Sequence, residues 1–132
     1  MVAGDLDANG CDDLLVDFGP KYGIWVRYNN TNWVRLHSKS AVSMAIGDVD
    51  GNGRNDVIVD FGPHAGVWLR LNDAKWEDIC DERAYAVTAG DVNGDGCDEI
   101  MIDLGLRSGM KIRDKNGIWS NIYNPYIDKS DE

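Results

Sequence analysis

The pattern Gly4-Asp5-Leu6-Asp7-Ala8-Asn9-Gly10-Cys11-Asp12-Asp13-Leu14-Leu15-Val16-Asp17-Phe18 starts again at Gly47 and at Gly90, 43 residues apart both times. Repeats 4–46, 47–89 and 90–132 take up everything after Ala3, so the 132 residues read as one domain, or part of one, built from three copies of a single unit. A fixed period of this length marks a propeller, solenoid or array, in which a unit buries its apolar face only by stacking on its neighbours. No stretch remains for a separate catalytic domain.

Hydrophobic residues make up 43% of the chain and include five Trp, enough for a packed core. The formal charge is −10, with the acids concentrated in the repeated loops. That excess, with no basic cluster, argues against binding nucleic acid or an anionic membrane surface. Three bound divalent cations would bring the formal charge to −4. No run of 18 apolar residues and no export signal is visible. Cys11, Cys80 and Cys97 are odd in number and form no C-x-x-C pair, which indicates neither a disulfide framework nor a zinc knuckle. Cys11 and Cys97 share a repeat position with Arg54, and a position that accepts Arg is expected to face solvent as an unpaired thiol.

The middle repeat reads as four short strands: Val42 to Ile46, Asp56 to Phe61, Gly66 to Leu71 and Lys75 to Cys80. They are β-branched or aromatic in character and are broken by Asp-rich, Gly62-Pro63 and Asn72-Asp73 turns. Val67, Leu69 and Leu71 alternate with Trp68 and Arg70, so both faces carry bulk, as a sheet sandwiched between two others requires. The expected fold is all-β: three four-stranded antiparallel blades of a β-propeller.

In the first loop Asp5, Asp7, Asn9 and Asp13 stand at positions 1, 3, 5 and 9, with Gly10 at position 6. The second has Asp48, Asp50, Asn52 and Asp56, and the third Asp91, Asn93, Asp95 and Glu99. Alternate oxygens on a tight loop suit a hard divalent cation, calcium above all, which takes six to eight oxygen ligands. Glycine at position 6 permits the sharp turn. Cys11, Arg54 and Cys97 at position 7 would lend only a backbone carbonyl, so their side chains are free to differ. Each loop keeps three carboxylates and one amide, and Glu99, with its longer arm, makes the third the least regular. An EF-hand would need Glu at position 12 between two helices, yet Val16, Val59 and Ile102 stand there inside strands. Asx-rich turns without metal are the competing reading of one such loop, and three copies in one register weigh against it.

Gly-Asp, a D-x-[DN]-x-[DN]-G-x-x-[DE] loop and a following apolar strand resemble the FG-GAP and VCBS-type repeats of integrin α-subunit-like β-propellers. The resemblance spans all three repeats. It implies that each loop joins a blade's innermost strand to the next and holds calcium, up to three ions per chain. It further implies adhesion or recognition, with lectins among some fungal and bacterial members, and rings of six to eight blades.

Three blades do not close a ring, and Leu14, Val16, Ile24 and Val26 of repeat one are matched by Ile100, Ile102, Met110 and Ile112 of repeat three, so neither end carries a polar cap. A homodimer closing a six-bladed ring is expected, the alternative being an excerpt of a longer propeller. Asp17, Asp60 and Asp103 on strand two, and Arg27, Arg70 and Arg113 on strand three, recur in every unit and read as scaffold, through ion pairs or hydrogen bonds to a turn. Trp33, Trp76 and Trp119 read as packing between blades. Trp25 and Trp68 read as core first, with Tyr22, His64 and Ser108 in the turn after strand two as the region where a ligand would bind. His37 and His64 occupy unrelated repeat positions, and no singular Ser, His or Cys constellation points to an enzyme. The functional expectation is therefore a calcium-binding recognition module for carbohydrate or protein, in an extracellular or cell-surface setting rich in calcium. A purely structural calcium-stabilised unit is the alternative.

Overall fold

The computed structural model describes residues 1–122, so the final ten residues of the third repeat lie outside it. Twelve strands follow in order: β1 (Val2–Gly4), β2 (Asp13–Asp17), β3 (Ile24–Tyr28), β4 (Asn32–His37), β5 (Ser43–Gly47), β6 (Asp56–Asp60), β7 (Val67–Leu71), β8 (Lys75–Cys80), β9 (Ala86–Gly90), β10 (Glu99–Asp103), β11 (Met110–Arg113) and β12 (Trp119–Ile122). One helical turn, α1 (Gly105–Ser108), lies between β10 and β11. The strands form three separate four-stranded antiparallel sheets, each a meander of four consecutive strands. The expected strands of the middle repeat are met within a residue at each end.

Alternation along the strands decides what packs where. One core lies between the first two sheets and joins Leu6, Leu15, Ile24 and Val26 to Val57 and Val59. A second lies between the second and third sheets and joins Ile58, Val67 and Leu69 to Ile100, Ile102 and Leu104. Strand β6 thus sends Val57 and Val59 one way and Ile58 the other, and all five of its residues are buried. Burying such side chains is worth about 1.5–3 kcal/mol each, which makes the two slabs the main source of stability.

The sheets approach closely at the glycines that open the first two acidic loops. A Cβ on Gly4 would lie 2.5 Å from Ile46 Cγ2, and one on Gly47 would lie 2.7 Å from the Ala89 Cβ. Backbone bonds join neighbouring loops there: Asn55 N–H donates to the Asp5 carbonyl at 2.9 Å, and Asp98 N–H to the Asp48 carbonyl at 2.8 Å. The Asp98 carboxylate also accepts the Asp48 N–H at 2.9 Å.

The recurring aspartates hold turns. Asp17, Asp60 and Asp103 each accept the N–H of the glycine two residues on, at 2.9 Å. Asp17 additionally accepts from Ser40 Oγ and the Ala41 N–H, tying its sheet to the next connection. Arg27 and Arg70 do not pair with them. Each donates to a backbone carbonyl of its hairpin turn, Asn30 or Asp73, and lies over a Trp ring, Trp33 or Trp76, at 5.3 Å. Arg113 lies 3.8 Å from Glu77. Trp76 and Trp119 pack on the two inter-sheet cores as expected, whereas Trp33 is exposed.

Candidate metal centres

Each acidic loop begins where the first strand of its sheet ends and finishes as the second begins, which gathers its carboxylates at one end of the sheet. Carboxylate oxygens of Asp5, Asp7 and Asp13 lie within 4.8 Å of one another, as do those of Asp48, Asp50 and Asp56, and those of Asp91, Asp95 and Glu99. All nine expected acidic ligands therefore fall into three clusters, one per sheet.

Backbone donors shape each loop. Asp5 accepts the N–H groups of Asn9 and Gly10 at 3.1 and 2.8 Å, and Asp48 those of Asn52 and Gly53 at the same distances. Burial alone would raise the Asp5 carboxyl, but the Gly10 and Asn9 donors outweigh it and hold its pKa below the usual value. The amide oxygens of Asn9 and Asn52 accept the N–H of Cys11 and Arg54, both at 2.9 Å. In the third loop Asp95 takes this role and accepts the Cys97 N–H, while Asn93 accepts the Asp95 N–H.

Asp13 and Asp56, both buried, clamp each loop to the hairpin turn between the third and fourth strands. Asp13 accepts the N–H of Leu6 and Asn29, and Asp56 that of Val49 and Asn72. Burial, opposed by the Asn72 and Val49 donors and reinforced by Asp50 and Asp48, pushes the Asp56 pKa up to about 6. A cluster with too much negative charge for its surroundings has use for a cation.

The turns bring in residues absent from the expected ligand set. Asn9 bonds to the side chain of Asn29, and Asn52 to that of Asn72. Asn29 also donates to Asp7 at 3.3 Å. Asn29-Asn30 and Asn72-Asp73 all have positive φ, the geometry of a type I′ hairpin, and this points the turn back at the loop. An Asn-Asn or Asn-Asp pair announces such a turn, but nothing local in the sequence shows it folding onto an acidic loop. In the third sheet Gly117 alone of this turn has positive φ, and Gly117 N–H donates to the Asp114 carbonyl at 3.0 Å. Lys115 takes the repeat position of Asn29 and Asn72, with Nζ 3.9 Å from Asp95 Oδ2.

Two oxygens in these clusters are buried without a hydrogen-bond partner: Asp7 Oδ1 and Glu99 Oε2. Glu99 is 2% exposed. Its Oε1 accepts the N–H groups of Val92 and Asn93, whereas Oε2 lacks the turn contact that Asp13 and Asp56 make. An unpaired buried carboxylate oxygen costs several kcal/mol, roughly, unless something positive answers it. The donor set, all hard oxygens with orphaned atoms among them, fits calcium. No family model, curated protein or solved structure matches this chain.

The cysteine expectation needs one correction. Cys11 is exposed, but Cys97 is buried. Its sulfur packs under the second loop, 2.6 Å from where a Cβ on Gly51 would stand, whereas Cys11 belongs to the first sheet, whose corresponding side carries no preceding loop. All three thiols are unpaired. In the turns after strand two, the Trp25 and Trp68 indoles donate to the Tyr22 and Ala65 carbonyls at 2.8 Å, and Tyr22, His64 and Ser108 are exposed. His37 packs against Phe61 and Trp76, with centroids at 4.6 and 5.5 Å, and its pKa is lowered first by burial and then by Lys39 and Arg35.

Proposed function

We propose that the protein is a calcium-binding recognition module whose three sheets are blades of a β-propeller of the FG-GAP and VCBS type. The observation that carries this reading is the recurrence of one oxygen cluster at the same place on all three sheets, with Glu99 Oε2 and Asp7 Oδ1 buried and unpartnered. In this reading Asp5, Asp7, Asn9 and Asp13 hold the first ion, Asp48, Asp50, Asn52 and Asp56 the second, and Asp91, Asn93, Asp95 and Glu99 the third. The backbone carbonyls of Cys11, Arg54 and Cys97 complete the sets. Calcium neutralises the clusters and stiffens the loops that fasten one sheet to the next.

The recognition surface is the row of turns after strand two. Each is closed by backbone bonds, Phe18 N–H to Gly23 and Phe61 N–H to Gly66, both at 2.9 Å, and in the first two sheets is pinned by an indole N–H. Such rigid turns present side chains that differ from copy to copy, including Tyr22, His64 and Ser108. An aromatic ring among hydrogen-bonding groups suits carbohydrate, with its apolar ring faces and hydroxyls, or a protein epitope of similar character. Three-carboxylate sites of this kind suit a calcium-rich setting, outside the cell or at its surface, better than a cytosol poor in that ion. Among the described residues no helix is long and apolar enough to cross a membrane.

A second reading, a structural calcium-stabilised unit with no other ligand, is favoured by the engagement of the Trp25 and Trp68 indoles with their own turns. A glycan array probed in calcium and in chelator separates the two. Recognition predicts calcium-dependent binding that Tyr22→Ala and His64→Ala weaken together. Binding to no glycan, with calcium uptake intact, favours the structural unit.

A further inference from the structure

The two inter-sheet contacts are built from the same repeat positions, and each end of the described structure carries one unused half of that contact. Leu6, Val49 and Val92 are equivalent residues at 0%, 6% and 61% exposure. The first two are covered by the following sheet, whereas nothing described covers the third. A Cβ placed on Gly4 or Gly47 would meet the next sheet at under 3 Å, whereas one on Gly90 has nothing within 4 Å. Met101 and Met110, the counterparts of fully buried Ile58 and Val67, line a shallow apolar groove with Val87, Ile102 and Ile122.

The first sheet exposes the complementary half. Leu14 and Val16 are the counterparts of Val57 and Val59, which fill the first inter-sheet core, yet they remain only half-buried. Phe18 and Trp33, at 5.5 Å edge to face, correspond to Phe61 and Trp76, which His37 of the preceding sheet covers. Asp12 is exposed and holds the position of Asp98, whose backbone and carboxylate clamp Asp48.

We propose that these two faces are halves of one interface and that the third sheet of one chain docks on the first sheet of a second copy. In this contact Asp12 of the second copy grips the Asp91 backbone as Asp98 grips Asp48, and its Ala3 approaches Gly90 as Ala89 approaches Gly47. Leu14 and Val16 enter the groove at Met101 and Met110. The occupant is a second copy because the chain already contains this contact twice, between sheets of the same sequence pattern. Two copies related by a two-fold axis use all four faces at once. The formal charge of −10 per chain opposes association, so bound calcium and moderate salt favour it. The inference rests on the blade reading of the sheets but not on the identity of the ion or the ligand.

Gly90→Val is the discriminating variant, since the added side chain meets nothing within the described chain but would collide with a docked sheet. Sedimentation in calcium is expected to give twice the 14.6 kDa chain mass for the parent protein and the single-chain mass for Gly90→Val. The far-UV spectrum and calcium uptake of the variant should be unchanged. Met101→Lys, in the apolar groove on β10 and outside the acidic loop, should give the same result should Gly90→Val fold poorly. A parent protein of single-chain mass, an open-ended ladder of masses, or variants that assemble like the parent would overturn the interface. Loss of calcium uptake with assembly intact would instead count against the metal reading alone.

Discussion

At the scale of single residues, the third loop is the informative one, because it departs from the other two in ligand and in neighbour. Lys115 sets an ammonium beside Asp95 where the other sheets have Asn29 and Asn72. A divalent ion about 5 Å from one positive charge in water-like surroundings loses about 1.7 kcal/mol, so Lys115→Asn should tighten calcium at this loop by roughly 15- to 20-fold, read by titration calorimetry. Asp56 makes a separate prediction. Its folded pKa of about 6 lies above the ordinary aspartate value of 3.8, so between those values the folded state holds more proton than the unfolded. In chelator, stability should therefore rise as pH falls from about 7 towards about 4, and Asp56→Asn should flatten the slope of the urea midpoint. Below that window the sign reverses, because Asp17, whose pKa the Gly19, Ser40 and Ala41 donors hold down against burial, loses its contribution as it protonates. Neither effect was legible in the sequence. The nine acids were marked by spacing, but Lys115 and Asn72 reach the site through a hairpin that folds back over it, and Asp56 owes its shift to burial.

At the scale of strands and loops, the sequence announced far more. Alternation of Val67, Leu69 and Leu71 with Trp68 and Arg70 located β7 and both of its faces, and Gly62-Pro63 and Asn72-Asp73 located its ends. The expectation left open whether the recurrent aspartates paired with the recurrent arginines. They do not, because each Asp reaches a glycine N–H two residues away and each of Arg27 and Arg70 its own hairpin turn, short-range bonds that cost less chain entropy than a cross-strand ion pair. The bonds between acidic loops were invisible, since Asn55 and Asp98 look like ordinary loop residues. Asp98→Ala should remove the carboxylate that accepts Asp48 N–H and cost about 1–2 kcal/mol in urea denaturation. Gly47→Val, with its Cβ 2.7 Å from Ala89 Cβ, should cost about 1–3 kcal/mol by overpacking the same seam.

At the scale of the whole molecule, three sheets of one pattern stack through two apolar seams, and three anionic clusters stand beside the contacts that join them. A divalent cation in such a cluster would offset repulsion at the points where the sheets are fastened, even before any further ligand is considered. Each site saturated a hundredfold above its dissociation constant would add about 2.7 kcal/mol to stability, so the unfolding midpoint should climb with calcium and fall in chelator. The period of 43 residues made this architecture readable, because one decoded unit stands for all three. That the end sheets lack a partner was an expectation from number alone, and among the described residues the exposure of Val92 against buried Leu6 and Val49 is the observation that bears on it. The most direct test is flow dialysis of the intact protein with labelled calcium, counting ions bound per chain. Three ions, one lost with each of Asp5→Ala, Asp48→Ala and Asp91→Ala, is the predicted result, and a chain that retains its fold while taking up none would contradict it.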